Sequence, residues 1–373
     1  MAADGNVEVW NKPSLSFVGK DMKTCWTRFF VGLLFGAALL PHPHNLAAQA
    51  SPVHASARVE EEMFVRIGGI DQWITLKGED RNNPVVLVLH GGPGDAWSPF
   101  ADSMYAGWDK SFTLVQWDQR GAGRTFSKNG TSIESTMTVD RMVDDGIEVA
   151  EFLTKHLHQK KIILLGGSWG SILGISMSHA RPDLFYAYVG VAQIVNWQKN
   201  LSASYARVLE KARAAGDQQA ISALTTMGPP PWHTVATWPL FRKWEKACQA
   251  KMVTAPPASS AISPAYASSE ERAQYEAADD FSFIHFWGMT LSGPLTQVDL
   301  PALGTDFAIP IFIIQGEQDL TAVPELAKAY FDSIHAPRKQ FYLVSGTGHE
   351  DSAIEVDMTL KVLMEQVRPL ARP

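Results

Sequence analysis

The stretch Lys161-Ile162-Ile163-Leu164-Leu165-Gly166-Gly167-Ser168-Trp169-Gly170-Ser171 constrains the fold more than any other. Its β-branched and apolar opening predicts a strand, and residues 172–179 predict a helix. Between them stands a Gly-x-Ser-x-Gly core centred on Ser168. Such an abrupt passage from strand to helix holds a serine in a strained turn with its Oγ exposed above a sheet. Gly166 and Gly170 flank it because a Cβ at either place would crowd the adjoining strand and helix. The five-residue pattern is weak by itself, since glycine and serine are common in turns. Its place between strand and helix gives it weight.

A second apolar strand, residues 84–89, runs into His90-Gly91-Gly92-Pro93-Gly94. Acyl transfer needs backbone N–H groups aimed at a developing oxyanion, and glycines let a backbone approach the substrate closely. In serine hydrolases with this kind of turn, one donor follows the nucleophile, here Trp169; the other comes from the loop after an earlier strand. Gly92 is the candidate for the second donor, because Pro93 has no N–H to give. Residues 310–316 read as a buried parallel strand followed by Glu317-Gln318-Asp319, and residues 340–344 as a last strand followed by Ser345-Gly346-Thr347-Gly348-His349. The order Ser168, Asp319, His349 is the Ser…Asp…His order of α/β-hydrolases, and each residue lies just beyond the carboxyl end of a predicted strand. In these roles His349 takes the proton of Ser168 and later hands it to the leaving group, while Asp319 holds the imidazole in one tautomer. Glu317 is the alternative acid.

Three blocks, His90-Gly91-Gly92-Pro93-Gly94, Trp117-Asp118-Gln119-Arg120-Gly121-Ala122-Gly123-Arg124-Thr125 and Gly166-Gly167-Ser168-Trp169-Gly170, resemble the signature blocks of the proline iminopeptidase (prolyl aminopeptidase) family of α/β-hydrolases. The resemblance spans residues 60–190 and 305–370. It implies a serine exopeptidase releasing N-terminal proline or another small or apolar residue through an acyl-Ser168 intermediate. Family members acting on other amides and esters make an esterase or amidase the alternative. Asp118 and Arg120, in the second block, are expected to hold a loop rather than react. A haloalkane- or epoxide-type reaction is disfavoured, because those use a carboxylate where Ser168 stands. A ligand-binding receptor on the same scaffold would have no need of the triad and both oxyanion elements.

Strands are further predicted at 62–66, 72–77, 112–118 and 187–192, the first two as an antiparallel hairpin around Gly68-Gly69. Residues 139–158 have helical spacing, with Thr138 as N-cap and Asp140 in the first turn. Strand–helix alternation of this kind means a mostly parallel, doubly wound sheet, an α/β-hydrolase fold. The expected organisation is an N-terminal extension over 1–50, hydrolase core over 51–194 and 305–373, and an inserted helical cap over 195–304. The insertion carries Trp197, Trp232, Trp238, Trp244 and Trp287, which suit cap packing, with one or two lining a pocket for an apolar side chain. An aminopeptidase must also receive a free α-ammonium, and cap carboxylates are the natural device. Trp244-Glu245 resembles a Trp-Glu pair that supplies such a glutamate in one branch of the family. Glu271 and Glu276 are candidates for a second. Glu245 stands among Arg242, Lys243 and Lys246, a setting that equally suits a solvated helix face.

The net charge of −7 argues against a nucleic-acid partner. No phosphate-loop or dinucleotide fingerprint follows a strand, and the spacing of Cys and His matches no zinc site, so neither cofactor nor metal is expected. The expected partner is a small peptide, amide or ester substrate; oligomeric state is left open. At the N-terminus Lys23 and Arg28 precede an apolar run over 29–40 and a small-residue stretch ending Ala48-Gln49-Ala50. This reads as a secretory signal cleaved after Ala50, sending the protein to the periplasm or outside the cell, with Met22 an alternative start. The run falls short of the ~20 residues of a spanning helix, so no stable membrane span is expected. Of two cysteines, Cys25 would leave with the signal and Cys248 would remain unpaired.

Overall fold

The computed structural model describes residues 58–371; the expected signal segment, its cleavage site and Cys25 lie outside them. The strands are β1 (Val59–Ile67), β2 (Ile70–Gly78), β3 (Val85–Leu89), β4 (Thr113–Trp117), β5 (Ile162–Gly167), β6 (Phe185–Val191), β7 (Ile311–Gly316) and β8 (Lys339–Val344). The α-helices are α1 (Ala101–Met104), α2 (Gly123–Asn129), α3 (Val139–His156), α4 (Trp169–Ala180), α5 (Trp197–Ala214), α6 (Gln218–Met227), α7 (Thr237–Gln249), α8 (Ser269–Trp287), α9 (Pro324–Ser333) and α10 (Ala353–Val362). None is long and apolar enough to cross a membrane, among the described residues.

All eight strands join one sheet in the order β1-β2-β4-β3-β5-β6-β7-β8. β1, β2 and β4 pair antiparallel, and every pair from β4 to β8 is parallel. The central strands are apolar along their whole length because both faces are covered. Val85, Leu87, Ile162 and Leu164 enter a core with α3 and α4 residues such as Leu153 and Ile172, while Val86, Val88, Ile163 and Leu165 face Trp97, Trp108 and Val362 on the other side. Alternation of side chains along each strand produces this division. β6 begins two residues earlier than the sequence suggests, because a short 3-10 turn, Pro182–Leu184, delivers Phe185 straight into the sheet.

The helices obey their sequence signals. Thr138 caps α3 by accepting the Arg141 N–H, Asp140 lies in its first turn, and Lys155 and His156 lie in its last. Asp140 and Lys155 complement the positive N-terminal and negative C-terminal ends of the helix. Ser268 caps α8 in the same way, with Glu270 and Glu271 in the first turn. Between β6 and β7, α5–α8 bury Trp197, Trp238 and Trp287 against one another with ring centroids 4.2–5.9 Å apart. Trp232 packs on Phe241 at 5.2 Å. These tryptophans are core, as their packing role required.

Strand order also decides which loops meet. β3 and β5 are neighbours, with Leu89 opposite Gly166, so the loop after β3 leaves the sheet beside the Ser168 turn. β7 and β8 are neighbours too, with Gly316 opposite Val344, which sets the Asp319 and His349 loops side by side.

Candidate active site

Ser168 links β5 to α4 with φ +50° and ψ −116°, a conformation an L-residue adopts only under constraint. Its N–H donates to the Val191 carbonyl on β6 (3.0 Å), and its own carbonyl accepts from Ser171 N (2.9 Å) and Ser171 Oγ (2.6 Å). Close packing forces the flanking glycines. A Cβ on Gly170 would stand 1.9 Å from the Leu89 carbonyl oxygen, and one on Gly166 would stand 2.5 Å from that of Gly170. Neither obstacle is a flexible side chain, so neither can move aside.

His349 Nε2 lies 3.1 Å from Ser168 Oγ, and His349 Nδ1 lies 3.0 Å from Asp319 Oδ2. The carboxylate can only accept, so Nδ1 carries the proton and Nε2 presents a lone pair to the serine hydroxyl. Burial disfavours a charged His349, but the charge and hydrogen bond of Asp319 outweigh it, and the imidazole pKa is raised. Asp319 is fully buried. Its Oδ1 accepts the N–H groups of Thr321 and Ala322, both at 2.7 Å, and Oδ2 also accepts Gln315 Nε2 at 3.1 Å. With these bonds the carboxylate cannot rotate away from the ring. Glu317, the alternative acid, bonds Ser345 and Gln318 instead.

Trp169 is the first residue of α4, where backbone N–H groups have no intrahelical acceptor and the helix end is positive. Across from it, Gly91 passes so near Ser168 that a Cβ would lie 3.5 Å from Ser168 Cβ. Gly92 has φ +107°, and a side chain there would strike the backbone nitrogens of Gly94 and Asp95 at 2.6 and 2.7 Å. A buried network ties the two loops together. His90 Nδ1 donates to the Gly91 carbonyl at 2.8 Å while His90 Nε2 accepts Gln119 N–H at 3.2 Å, and Gln119 Oε1 accepts the Trp169 indole N–H at 2.9 Å. Burial lowers the His90 pKa to about 4, so the ring stays neutral and keeps this tautomer. The sequence presented His90 and Gln119 only as parts of motifs; their bonding had no signal of its own.

Asp118 and Arg120 behave as loop anchors. Arg120 is buried and forms a two-pronged ion pair with Asp145, at 2.7 and 3.1 Å, while donating to the Gly68 carbonyl. Asp118 accepts from Ser98 Oγ (2.6 Å) and Arg124 N–H (2.8 Å). Burial raises its pKa to about 6 against those bonds.

The three glutamates of the insertion are scattered. Glu276 is exposed on α8. Glu271 pairs with Arg124 at 3.0 Å. Glu245 corrects the reading of α7 as a solvated face, since its side chain is 1 % exposed. It accepts from Arg242 Nη1 at 2.6 Å and from Thr321 Oγ1, two residues beyond Asp319. Charge spacing around residue 245 suggested solvent; Trp238 and Phe241, on the same helix face as Glu245 and Gln249, were the signal that this face is buried.

A family model described as the alpha/beta hydrolase fold matches residues 84–355. The probable aminopeptidase YbaC of Bacillus subtilis (strain 168) is 28 % identical over 303 residues, covering 81 % of this chain and 94 % of that protein. A proline iminopeptidase of Arabidopsis thaliana is 38 % identical over 106 residues, 28 % of this chain and 25 % of its own. The crystal structure of Mycobacterium smegmatis proline iminopeptidase superposes with a TM-score of 0.58 over 83 % of this chain and 99 % of that one, at 19 % identity, a likeness of fold alone. The chain thus belongs to the α/β-hydrolase fold family, with aminopeptidases and proline iminopeptidases among its relatives.

Proposed function

We propose that this hydrolase is a serine aminopeptidase of proline iminopeptidase type, acting on small peptides. The observation that carries the reading is the unbroken chain of hydrogen bonds from Ser168 Oγ through His349 to Asp319. A relative named as an aminopeptidase, matched over nearly its whole length, supports the peptide substrate.

In this mechanism His349 Nε2 takes the Ser168 proton as Oγ attacks the scissile carbonyl. The oxyanion that forms is received by the N–H groups of Gly92 and Trp169. The proton then passes from His349 to the leaving amine, and an ester to Ser168 remains. Water, deprotonated by the same imidazole, hydrolyses that ester and frees the N-terminal residue. Helices α5–α8 would act as the cap over the bound peptide. Removal of residues 1–50 after Ala50 would accompany export, a step checked by N-terminal sequencing of the secreted form.

A second reading, an esterase or amidase indifferent to a free amine, has one observation in its favour: Arg242 and Arg124 already pair with two of the carboxylates expected to receive the ammonium. Hydrolysis of proline, alanine and N-acetyl-proline arylamides beside a short acyl p-nitrophenyl ester separates the two. Turnover that acetylation and Ser168→Ala both abolish would establish the aminopeptidase. Ester turnover alone would leave the serine mechanism and remove the peptidase.

A further inference from the structure

The geometry points to half-buried Arg242 and buried Glu245 of α7 as a charge pair that positions Asp319 and His349, with Glu245 committed to this clamp rather than to the substrate ammonium. This rests on the proposed serine mechanism. One face of α7 reaches both loops that carry the base and its acid. Glu245 accepts from Thr321 Oγ1, and the same threonine's N–H donates to Asp319 Oδ1 at 2.7 Å. Arg242 Nη1 bonds both Glu245 and Thr321 Oγ1, while Nη2 lies 3.4 Å from Glu350 Oε1, next to His349. One turn on, Gln249 Oε1 accepts Leu320 N–H at 3.1 Å, and its amide carbon stands 2.5 Å from where a Cβ on Gly348 would be. Residues 242, 245 and 249 follow helical spacing, so a single rigid surface sets the distance between the two loops.

The charge balance of Glu245 decides against a receptor role. A buried carboxylate that already holds one arginine N–H and a hydroxyl has little net charge left to attract an ammonium. The charged groups that act on His349 are Asp319 and Glu350, which favour the imidazolium, and Arg242, which disfavours it. Glu245 lies behind Arg242 and tempers its effect.

The test is the pH dependence of Ser168 acylation, followed with a fluorophosphonate probe and with the acyl ester, in folded variants checked by far-UV circular dichroism. His349 must be neutral to act, so its pKa sets the acidic limb of the profile. Arg242→Met removes a cation and should move that limb to higher pH. Glu245→Gln leaves Arg242 uncompensated and should move it to lower pH. Each unit of movement changes the rate on the limb about tenfold. Thr321→Val breaks the link without altering charge, so it should lower kcat with the limb unmoved. Arg242→Lys keeps the cation, should hold the limb near its parent position, and serves if Arg242→Met does not fold. Shifts of equal sign, or none, in the two charge variants would overturn the clamp. A rise in KM confined to free-amine substrates in Glu245→Gln would also overturn it, in favour of ammonium binding. Failure of the parent protein to label at Ser168 is the separate result that removes the serine mechanism itself.

Discussion

The turns at the ends of β3 and β5 and the helices between β6 and β7 both adjoin the Ser168–His349–Asp319 chain but are fixed by different forces. In the turns, backbone meets backbone: Gly170 against Leu89, Gly166 against Gly170, Gly92 against Gly94. Such contacts have no slack, and one residue type satisfies them. In α5–α8 the fixed points are side chains, a tryptophan cluster and the Arg242–Glu245 pair, which tolerate repacking within a certain volume and charge. Ser168 is therefore placed by steric exclusion, and the helices beyond it by adjustable packing.

The harshest way to break this contrast is Gly170→Ala. With an obstacle 1.9 Å away, it should cost upwards of about 4 kcal/mol and abolish Ser168 labelling; a folded, labelled variant would show that the turn has slack after all. Next in size, Trp238→Ala, which removes a ring 4.2 Å from Trp287, should cost about 3–5 kcal/mol in denaturant unfolding and leave Ser168 labelled at low temperature. Loss of labelling in a still-folded Trp238→Ala protein would mean the helices place Ser168 as well.

A buried acid beneath the triad gives a pH test. Burial raises the Glu355 pKa to about 7, against its hydrogen bond from Ser352. Between the unfolded value and 7, the folded chain keeps a proton that the unfolded chain has lost, so stability falls as pH rises through that window. The loss amounts to about 3 kcal/mol, and Glu355→Gln should flatten it in unfolding curves measured from pH 4 to 8. Smaller still, Thr138→Ala should cost about 1 kcal/mol through the lost α3 cap. A double-mutant cycle across Arg124 and Glu271, both partly exposed, should yield a coupling below about 1 kcal/mol; a larger value would make that pair a second anchor of the helices to the core.

The same contrast explains what could be read in advance. The Ser168 turn, the alternating strands and the α3 cap were legible because each is decided by neighbours within a few positions along the chain. Ser168, Asp319 and His349 were legible because their strands end where a parallel sheet must present its loops. Arg242 and Glu245 were not, because Thr321 lies 79 and 76 residues from them and Glu350 lies 108 residues from Arg242. A charged residue on an amphipathic helix reads as solvated until those distant partners are known. His90 is similar: its bond partner on Nε2 is Gln119, supplied by another strand end.

The bond between Ser168 and His349 spans 181 positions. During synthesis at about 5–20 residues per second, the serine leaves the ribosome about 10–40 s before its imidazole partner exists. Through that interval the Ser168 hydroxyl lacks the imidazole it bonds in the finished fold. The hydrogen-bonded chain from Ser168 to Asp319 closes only with the last strand, so this arrangement is among the last features the fold completes.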